Sequence, residues 1–378
     1  MSDHPIYLDY NATTPVDERV LEAMLPYLRE HYGNPSSAHA YGRRAHAAVE
    51  AARKEVAGLI GAAPDEIVFT GCATEANNLA ILGTARVSAG RKRHLITSAV
   101  EHPSVLQPFM RLRGEGWEVT VLPVDGEGRV DPGEVARALR PGTALVSVMH
   151  ANNETGAVQP VADIAVLLKS RGVPLHSDAA QSAGKLPIAV DELGVDLLTL
   201  AGHKFYAPKG VGALYVRKGT PLSPIMAGAG PERGLRPGTE NVPMIVGLGT
   251  AARLASAALE EDSARLRTLR DELHRRLAEA IPGVALNGPL VARLPNTLNV
   301  SVPGVAGWQL LEAAAGVAAS TGSACHAGGG GSPVLEAMGL SAERIAGAVR
   351  LSVGRLTDHR EIAQAADTLI AAWRQLQG

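Results

Sequence analysis

The sequence predicts an α/β protein, and two observations support that prediction. Short apolar runs alternate with amphipathic stretches through the middle of the chain, a pattern typical of strands that are each followed by a helix. Polar residues also follow each run along the chain. The five runs that show both features are 66–70, 94–97, 144–149, 174–176 and 196–200.

Threonine, histidine, asparagine, aspartate, glutamine and lysine follow these five runs. The polar segments are 71–75, 101–102, 152–156, 178–181 and 202–204. Ligands of open α/β sheets bind outside the carboxyl ends of the strands. We therefore expect one shared site at this edge of the sheet.

Length and composition restrict the classes of protein to consider. A chain of 378 residues is long enough for two domains, and 46% hydrophobic with 20% charged residues is typical of a soluble globular protein. The net charge of −2 gives no reason to expect direct nucleic-acid binding, and no apolar run reaches membrane-spanning length. No signal peptide is visible, and Cys72 and Cys325 give no disulfide framework, so we expect a cytoplasmic protein that does not bind membranes.

Each polar residue has an ordinary interpretation when it is taken alone. Lys204 could be solvated surface, Asp178 a helix N-cap, His102 a loop histidine and Asn153 a turn residue. Together they suit pyridoxal phosphate, which needs a lysine for its aldehyde and a carboxylate for its ring nitrogen. The turn at 71–75, which precedes a helical pattern starting at Ala76, would take the phosphate, and His102 would lie on the ring face. A metal site is the weaker interpretation, so no metal ligands are predicted.

Cys325 lies in an unusual segment, because four glycines, Gly328 to Gly331, follow it closely. Glycine runs lose the most backbone entropy on ordering, so the sequence predicts a mobile loop with an accessible thiol.

At these residues the chain resembles the cysteine desulfurases of the NifS/IscS kind, which are aminotransferase class V enzymes. The resemblance extends over almost the whole chain. Its motifs are 7–15, 33–37, 73–78, 101–102, 152–156, 178–181, 202–204, 236–241, 296–299, 322–325 and 351–355.

The resemblance implies how the cofactor would be held. Lys204 would bind pyridoxal phosphate covalently and then move the substrate's protons. Asp178 would pair with the ring nitrogen, and Gln181 would bond to the ring hydroxyl. His102 would stack on the ring and act as an acid or base.

The phosphate would be bound by residues from two subunits. Ala73, Thr74 and His203 would contact it from one chain and Thr239 from the partner, so the resemblance implies a homodimer. One departure lies beside this set: Ala201 stands where the family usually has a serine, so one phosphate-binding hydroxyl is missing and weaker cofactor retention is predicted. Cys72, in the phosphate turn at 71–75, is interpreted as a small buried residue.

The resemblance also implies the reaction. Asn153, which would also contact the cofactor, and Arg355 would bind the carboxylate of L-cysteine. Cys325 would take its sulfur as a persulfide, leaving L-alanine. A sulfur-acceptor protein would follow, in iron–sulfur assembly, tRNA thiolation, DNA phosphorothioation or another biosynthetic pathway. Selenocysteine lyase, cysteine sulfinate desulfinase, another class V aminotransferase-like enzyme and a non-catalytic scaffold are the alternatives.

The implied architecture is the type I fold of pyridoxal-phosphate-dependent transferases. Residues 14–254 would form a large domain with a mostly parallel, seven-stranded sheet. Residues 1–13 and 255–378 would form a smaller α+β domain that carries the catalytic loop at about 321–333. The hydrophobic pattern adds a long helix over 251–280, a strand over 296–302 and a closing helix over 359–376.

Overall fold

A computed structural model describes residues 4–90, 92–321 and 331–377. Cys325 and the first three glycines of its tetrad lie outside the described residues. The strands are β1 (Ile6–Tyr7), β2 (Ile67–Thr70), β3 (His94–Ser98), β4 (Glu118–Leu122), β5 (Thr143–Ser147), β6 (Leu175–Asp178), β7 (Leu197–Ala201), β8 (Gly212–Val216), β9 (Ala285–Leu286), β10 (Thr297–Ser301), β11 (Val317–Ala318) and β12 (Ala348–Ser352).

Helices separate most of these strands. They are α1 (Glu18–Arg29), α2 (Ala40–Leu59), α3 (Ala73–Ser88), α4 (Pro103–Gly114), α5 (Pro132–Ala138), α6 (Val161–Lys169), α7 (Val190–Leu193), α8 (Val242–Ala280), α9 (Gly307–Ala313), α10 (Pro333–Ala337), α11 (Ala342–Ala346) and α12 (His359–Gln377).

Seven strands form the main sheet, in the order β2-β8-β7-β6-β5-β3-β4. Only β8 is antiparallel to its two neighbours, whereas the other pairings are parallel. The predicted mostly parallel, seven-stranded sheet is therefore confirmed. Because six strands run in the same direction, the five predicted polar segments leave the sheet at one edge.

The apolar runs of the sequence are explained by burial on both faces of this sheet. In β5, Leu145 points into one hydrophobic cluster and Val146 into the other; Leu95 and Ile96 of β3 do the same. Strands covered by helices on both sides lose the alternation of apolar and polar residues that a half-exposed strand shows.

A second, smaller core lies around the antiparallel sheet β12-β10-β9. α12 and the second half of α8 pack against it. α8 begins at Val242, nine residues before the predicted start at 251; its residues up to Ala255 pack in the first core and those from Leu266 in the second. The domain boundary at 254–255 stays a prediction that this change of core supports.

α8 is also, within the described ranges, the one helix whose length and composition would allow it to cross a membrane. A helix buried in a protein core can have the same length and apolar composition. The apolar residues of α8 contribute to two protein cores, which accounts for its composition.

Candidate active site

Asp178 and Lys204 lie at the same edge of the sheet because β6 and β7 are parallel neighbours. Asp178 is the last residue of β6 and pairs in register with Thr199 of β7. β7 ends at Ala201, and a single 3-10 turn, Gly202–Lys204, follows it directly. The structure thus brings together the acid and the amine that the sequence predicted.

Lys204 is a half-buried amine held by backbone carbonyls. Its Nζ donates to the carbonyl oxygens of Asn11 at 2.6 Å and Ala12 at 2.8 Å. Burial is the main reason that its pKa is lowered to about 8; Arg350 lowers it further, whereas Asp178 and Asp9 act in the opposite direction. A lysine in this state provides much more neutral amine near neutral pH than an exposed lysine does.

Asp178 is buried, and two donors fix the orientation of its carboxylate. The side-chain amide of Asn77 donates to Oδ2 at 2.7 Å, and the backbone N–H of Ala180 donates to Oδ1 at 2.9 Å. Asn77 also donates to Ser104 Oγ at 2.8 Å, so α3 and the start of α4 are joined to the carboxylate.

His102 caps the N-terminus of α4 and stands at the open cleft beside α3. Its Nδ1 accepts from the backbone N–H of Ser104 at 3.1 Å. His102 is exposed at the surface, yet desolvation by the surrounding protein lowers the pKa of its ring; Asp178 raises that pKa and Lys204 lowers it. The ring is therefore electrostatically coupled to the acid and the amine. Thr74 lines the same cleft.

Gln181 lies next to a second buried amine that the sequence reasoning missed. Its Nε2 donates to the Asn11 carbonyl at 3.0 Å, and its Oε1 accepts from Lys185 Nζ at 3.3 Å. Lys185 also donates to the Gln181 carbonyl at 3.0 Å, and burial, with Lys204 and Arg350, lowers its pKa to about 7. Lys185 thus fixes which way the Gln181 amide points.

The predicted phosphate turn is the first turn of α3. The helix begins at Ala73, three residues earlier than the helical pattern suggested, so Ala73 and Thr74 have helical geometry. Unpaired backbone N–H groups at a helix start attract anions. Gly212 packs directly beneath: a Cβ there would lie 2.8 Å from the carbonyl carbon of Cys72 and 3.0 Å from Ala73 N.

His203, in the 3-10 turn that follows β7, has a neutral ring. Burial and the charges of Lys204, Lys209 and Lys185 lower its pKa to about 4. Its Nδ1 lies 3.1 Å from Thr13 Oγ1. A neutral imidazole still offers one N–H donor to a phosphate.

Thr239, the residue predicted to reach the partner's phosphate, lies in the loop before α8. It is exposed and makes no hydrogen bond within the described ranges. Its loop is nevertheless attached to the phosphate turn, because Arg236 Nε donates to Glu75 Oε1 at 2.9 Å and Glu75 Oε2 accepts from Gly71 N at 2.7 Å.

Asn153 and Arg355 occupy the side of the site formed by the smaller core. The carbonyl of Asn153 accepts from Asn11 Nδ2 at 3.2 Å and from Arg350 Nη1 at 3.1 Å. Arg355 lines a small cavity together with Lys204, and its Nε donates to Asp262 Oδ2 at 2.6 Å. The predicted substrate-binding arginine is thus already paired with a carboxylate.

Only one of the two cysteines, Cys72, lies within the described residues. Cys325, the predicted nucleophile, lies outside the described residues. Cys72 is exposed as the N-cap of α3, so the interpretation of it as a buried residue is wrong. It precedes the first helical turn, and the backbone there is packed on Gly212, which leaves the side chain to the outer surface.

Asn11 is the residue that sequence reasoning missed most clearly. It is buried, and its carbonyl accepts from both Lys204 and Gln181 while its amide donates to Asn153 and to Thr297 Oγ1. It belongs to motif 7–15, which contributed to the resemblance without any role being given to it. An amide side chain within a motif that carries the resemblance was the available signal.

The arrangement fits pyridoxal phosphate. A lysine with a lowered pKa, a buried carboxylate fixed by two donors, a flat ring at the cleft and a helix start packed on a glycine are the groups that this cofactor needs. Each would contact a different part of the cofactor.

Comparison with known proteins agrees with this arrangement. Residues 6–364 match the aminotransferase class-V family. A cysteine desulfurase IscS from Dictyoglomus turgidum is 46% identical over 367 residues, which are 96% of this chain and 93% of that protein.

Two solved structures are similar over nearly their whole length. A NifS-like protein has a TM-score of 0.93 and 39% identity, covering 98% of this chain and 100% of that one. A structure described as SspA in complex with cysteine has a TM-score of 0.82 and 39% identity, covering 92% of this chain and 98% of that one.

The chain is therefore an enzyme of the type I pyridoxal-phosphate fold, and its cofactor is pyridoxal phosphate. It belongs to the aminotransferase class-V family and, within that family, to the cysteine desulfurases.

Proposed function

We propose that this enzyme removes sulfur from L-cysteine, releases L-alanine and carries the sulfur as a persulfide on Cys325. The observation that supports this most is the group formed by Lys204, Asp178 and His102 in a chain of this family. The solved SspA structure, which is similar over 92% of this chain, is described as a complex with cysteine.

Bound pyridoxal phosphate supplies an electron-accepting ring linked to the amino group of the substrate. Lys204 would hold it covalently, Asp178 its ring nitrogen, Gln181 its hydroxyl, and Ala73, Thr74 and His203 its phosphate. Ala201 stands where the family usually has a serine, so the phosphate would have one donor fewer.

The residues of the chain would move the protons. Lys204, with a pKa of about 8, can take a proton from the substrate Cα and return it near neutral pH. The surrounding protein lowers the pKa of His102, which favours the neutral ring that can accept a proton at the cleft. Arg355 and Asn153 would bind the substrate carboxylate.

The sulfur transfer is balanced without any other reactant. Cys325 Sγ forms a bond with the substrate sulfur as the substrate's Cβ–S bond breaks. The electron pair of that bond stays with the carbon skeleton, which gains a proton and leaves as L-alanine. The thiol of Cys325 is oxidised to a persulfide while the substrate carbon is reduced.

Replacing Cys325 with alanine tests this transfer. We expect the variant to bind the cofactor normally, as seen by visible absorbance, and to lose alanine formation from L-cysteine. Peptide mass mapping of the wild type after one turnover should place one added sulfur on the Cys325 peptide and none on the Cys72 peptide. Alanine and sulfide formation by the variant at the wild-type rate would contradict the persulfide mechanism.

The same variant separates the alternatives. A class V aminotransferase does not need a loop thiol, so it would be insensitive to Cys325→Ala and would form a keto acid. Selenocysteine lyase and cysteine sulfinate desulfinase activities are distinguished by comparing kcat/KM for L-cysteine, L-selenocysteine and L-cysteine sulfinate. We expect L-cysteine to depend most strongly on Cys325.

A homodimer is part of the proposal. Leu28, Tyr32 and Tyr41 are 54%, 72% and 56% exposed, and the two tyrosine rings lie 5.7 Å apart. Exposed aromatic rings that pair in this way, with a further exposed leucine on the surface, favour a protein partner. Pro35 and Ser36, between the two tyrosines, line one cleft with Arg233 and Glu240, which flank Thr239 on both sides.

A second copy of the chain would cover these side chains and receive Thr239 at its phosphate. The double variant Tyr32→Asp, Tyr41→Asp should sediment as a monomer and release cofactor on dialysis. If the wild-type protein sediments as a monomer while it retains bound cofactor, the proposed homodimer is contradicted.

A cytoplasmic location and a sulfur-acceptor protein complete the proposal. Cell fractionation tests the first. The second is tested by loading the protein with labelled L-cysteine and following the label from Cys325 into other proteins.

A further inference from the structure

Tyr206, two residues after Lys204, has an unusual backbone conformation. Its φ is 71°, in the left-handed region that a bulky L-residue rarely adopts. Among the described residues only Glu232 and Arg233 share a positive φ without being glycine. Strain of this kind persists where the surrounding structure holds it, and it is concentrated at functional sites.

Three hydrogen bonds hold Tyr206 in place. Its backbone N–H donates to Thr14 Oγ1 at 2.9 Å, and its carbonyl accepts from Asp17 N at 3.1 Å. Its phenol oxygen accepts from the backbone N–H of Arg355 at 2.6 Å. These bonds hold the backbone of Tyr206 and also the phenol end of its ring.

The ring is the surface on which Arg355 rests. The guanidinium carbon lies 4.5 Å from the ring centroid, within the range of a cation–π contact. Asp262, on α8, accepts from Arg355 Nε at 2.6 Å. Tyr206 thus supports the face of the guanidinium, and Asp262 holds one edge of it.

The terminal nitrogens of Arg355 have no hydrogen-bond acceptor within the described ranges, although Nη1 forms a long ion pair of 3.7 Å with Asp17 Oδ2. The cavity that Arg355 lines is shared with Lys204, Tyr206 and Asp262. A guanidinium must be held in a fixed plane to bind a carboxylate through two parallel bonds.

We propose that Tyr206 and Asp262 are positioning residues that orient Arg355 for the carboxylate of the substrate. This inference rests on the proposed function, in which Arg355 binds that carboxylate. Tyr206 lies two residues after Lys204, so one short segment would fix both the amine that meets the substrate's amino group and the plane that meets its carboxylate. The site would then select α-amino acids over amines that lack a carboxylate.

Binding of two ligands that differ only in the carboxylate tests this. L-Alanine and L-alaninamide would be titrated into the holoenzyme, and their Kd values read from the change in visible absorbance. We expect Tyr206→Leu and Asp262→Asn to weaken L-alanine binding by about tenfold, the loss expected when a hydrogen bond to a charged group is weakened. Binding of L-alaninamide should not change.

Two controls separate orientation from general damage. Tyr206→Phe keeps the ring and should lose less affinity for L-alanine than Tyr206→Leu does. Glu261→Gln removes an exposed carboxylate beside Asp262 and should leave both Kd values at the wild-type level. Because Asp262→Asn does not alter the strained residue, it reports on Arg355 even if Tyr206→Leu folds poorly.

Arg355→Gln distinguishes failure of the inference from failure of the proposed function. If Arg355→Gln leaves the preference for L-alanine over L-alaninamide unchanged, Arg355 does not bind the carboxylate and the proposed role of that residue fails. If Arg355→Gln abolishes the preference while Asp262→Asn and Tyr206→Leu preserve it, the positioning role is overturned. Tighter L-alanine binding by Asp262→Asn would also overturn it, because Asp262 would then be a competitor of the substrate.

Discussion

Asn77 donates a hydrogen bond of 2.7 Å from its side-chain amide to Oδ2 of Asp178, and both residues are buried. The carboxylate predicted to hold the cofactor ring nitrogen is therefore oriented from α3, the helix whose first turn is predicted to hold the phosphate. Asn77 joins two ends of the cofactor site that the sequence places about 100 residues apart.

Replacing Asn77 with alanine should weaken cofactor binding. A hydrogen bond to a charged group contributes about 1.5–3 kcal/mol, so we expect a loss of roughly tenfold to a hundredfold in affinity. Equilibrium titration of the dialysed protein with pyridoxal phosphate, followed by visible absorbance, measures it. Gln375→Ala, at an exposed position of α12, is the control and should bind as the wild type does. Equal affinities of Asn77→Ala and wild type would show that Asp178 needs no such orientation.

Cofactor loading should depend on pH through Lys204. Its pKa is lowered to about 8, and only the neutral amine reacts with an aldehyde. The initial rate at which the dialysed protein takes up pyridoxal phosphate should therefore rise with pH and level off above that pKa. Stopped-flow absorbance across the pH range gives the midpoint.

Asp9→Asn provides the matched variant for this titration. The Asp9 carboxylate raises the pKa of Lys204, so its removal should move the midpoint to lower pH. A midpoint that stays in place, or moves upward, would be inconsistent with the electrostatic account of Lys204.

Glu101 should make the protein less stable as pH rises. Burial raises its pKa to about 8, against a usual value near 4.5 in an unfolded chain, so the folded state binds the extra proton. Stability therefore falls with increasing pH between those two values, by up to about 1.4 kcal/mol for each pH unit. Glu101 Oε1 accepts from Ser98 Oγ at 2.6 Å and from Met149 N at 2.8 Å, and an amide oxygen can replace it there.

The variant Glu101→Gln should remove this dependence. Urea unfolding at several pH values should show the variant gaining stability relative to the wild type from about pH 5 to about pH 8 and no further gain above that. A difference between the two proteins that does not change with pH would refute the raised pKa.

The sequence predicted the cofactor site better than the groups that orient it. Lys204 and Asp178 were found because each follows an apolar run, and parallel strands bring such ends together. The partners of Arg355 could not be found in this way, since Asp262 lies on α8, 93 positions away, and Tyr206 stacks on it from 149 positions away. No local pattern connects such residues.

The start of α3 illustrates a second limit. A glycine, a cysteine and β-branched Thr74 weaken the helical pattern before Ala76, so the segment resembles a turn. Packing on Gly212 and the bond from Gly71 N to Glu75 nevertheless allow the helix to begin at Ala73. Tertiary contacts decided the boundary.

Restoring a hydroxyl at Ala201 should strengthen cofactor retention. Ala201 is buried at the end of β7, directly before the turn that carries His203 and Lys204. A neutral hydrogen bond contributes about 0.5–1.5 kcal/mol, so Ala201→Ser should slow the loss of cofactor during dialysis by roughly twofold to tenfold. The rate is followed by the decay of visible absorbance.

Ala201→Cys serves as the control for side-chain size, because a thiol is a weak donor of similar shape. It should release cofactor at about the rate of the wild type. Faster release from Ala201→Ser than from the wild type would mean that the buried hydroxyl finds no acceptor at the phosphate and costs free energy instead. In that case the missing serine would be a consequence of local packing at β7 rather than a weakness of the phosphate site.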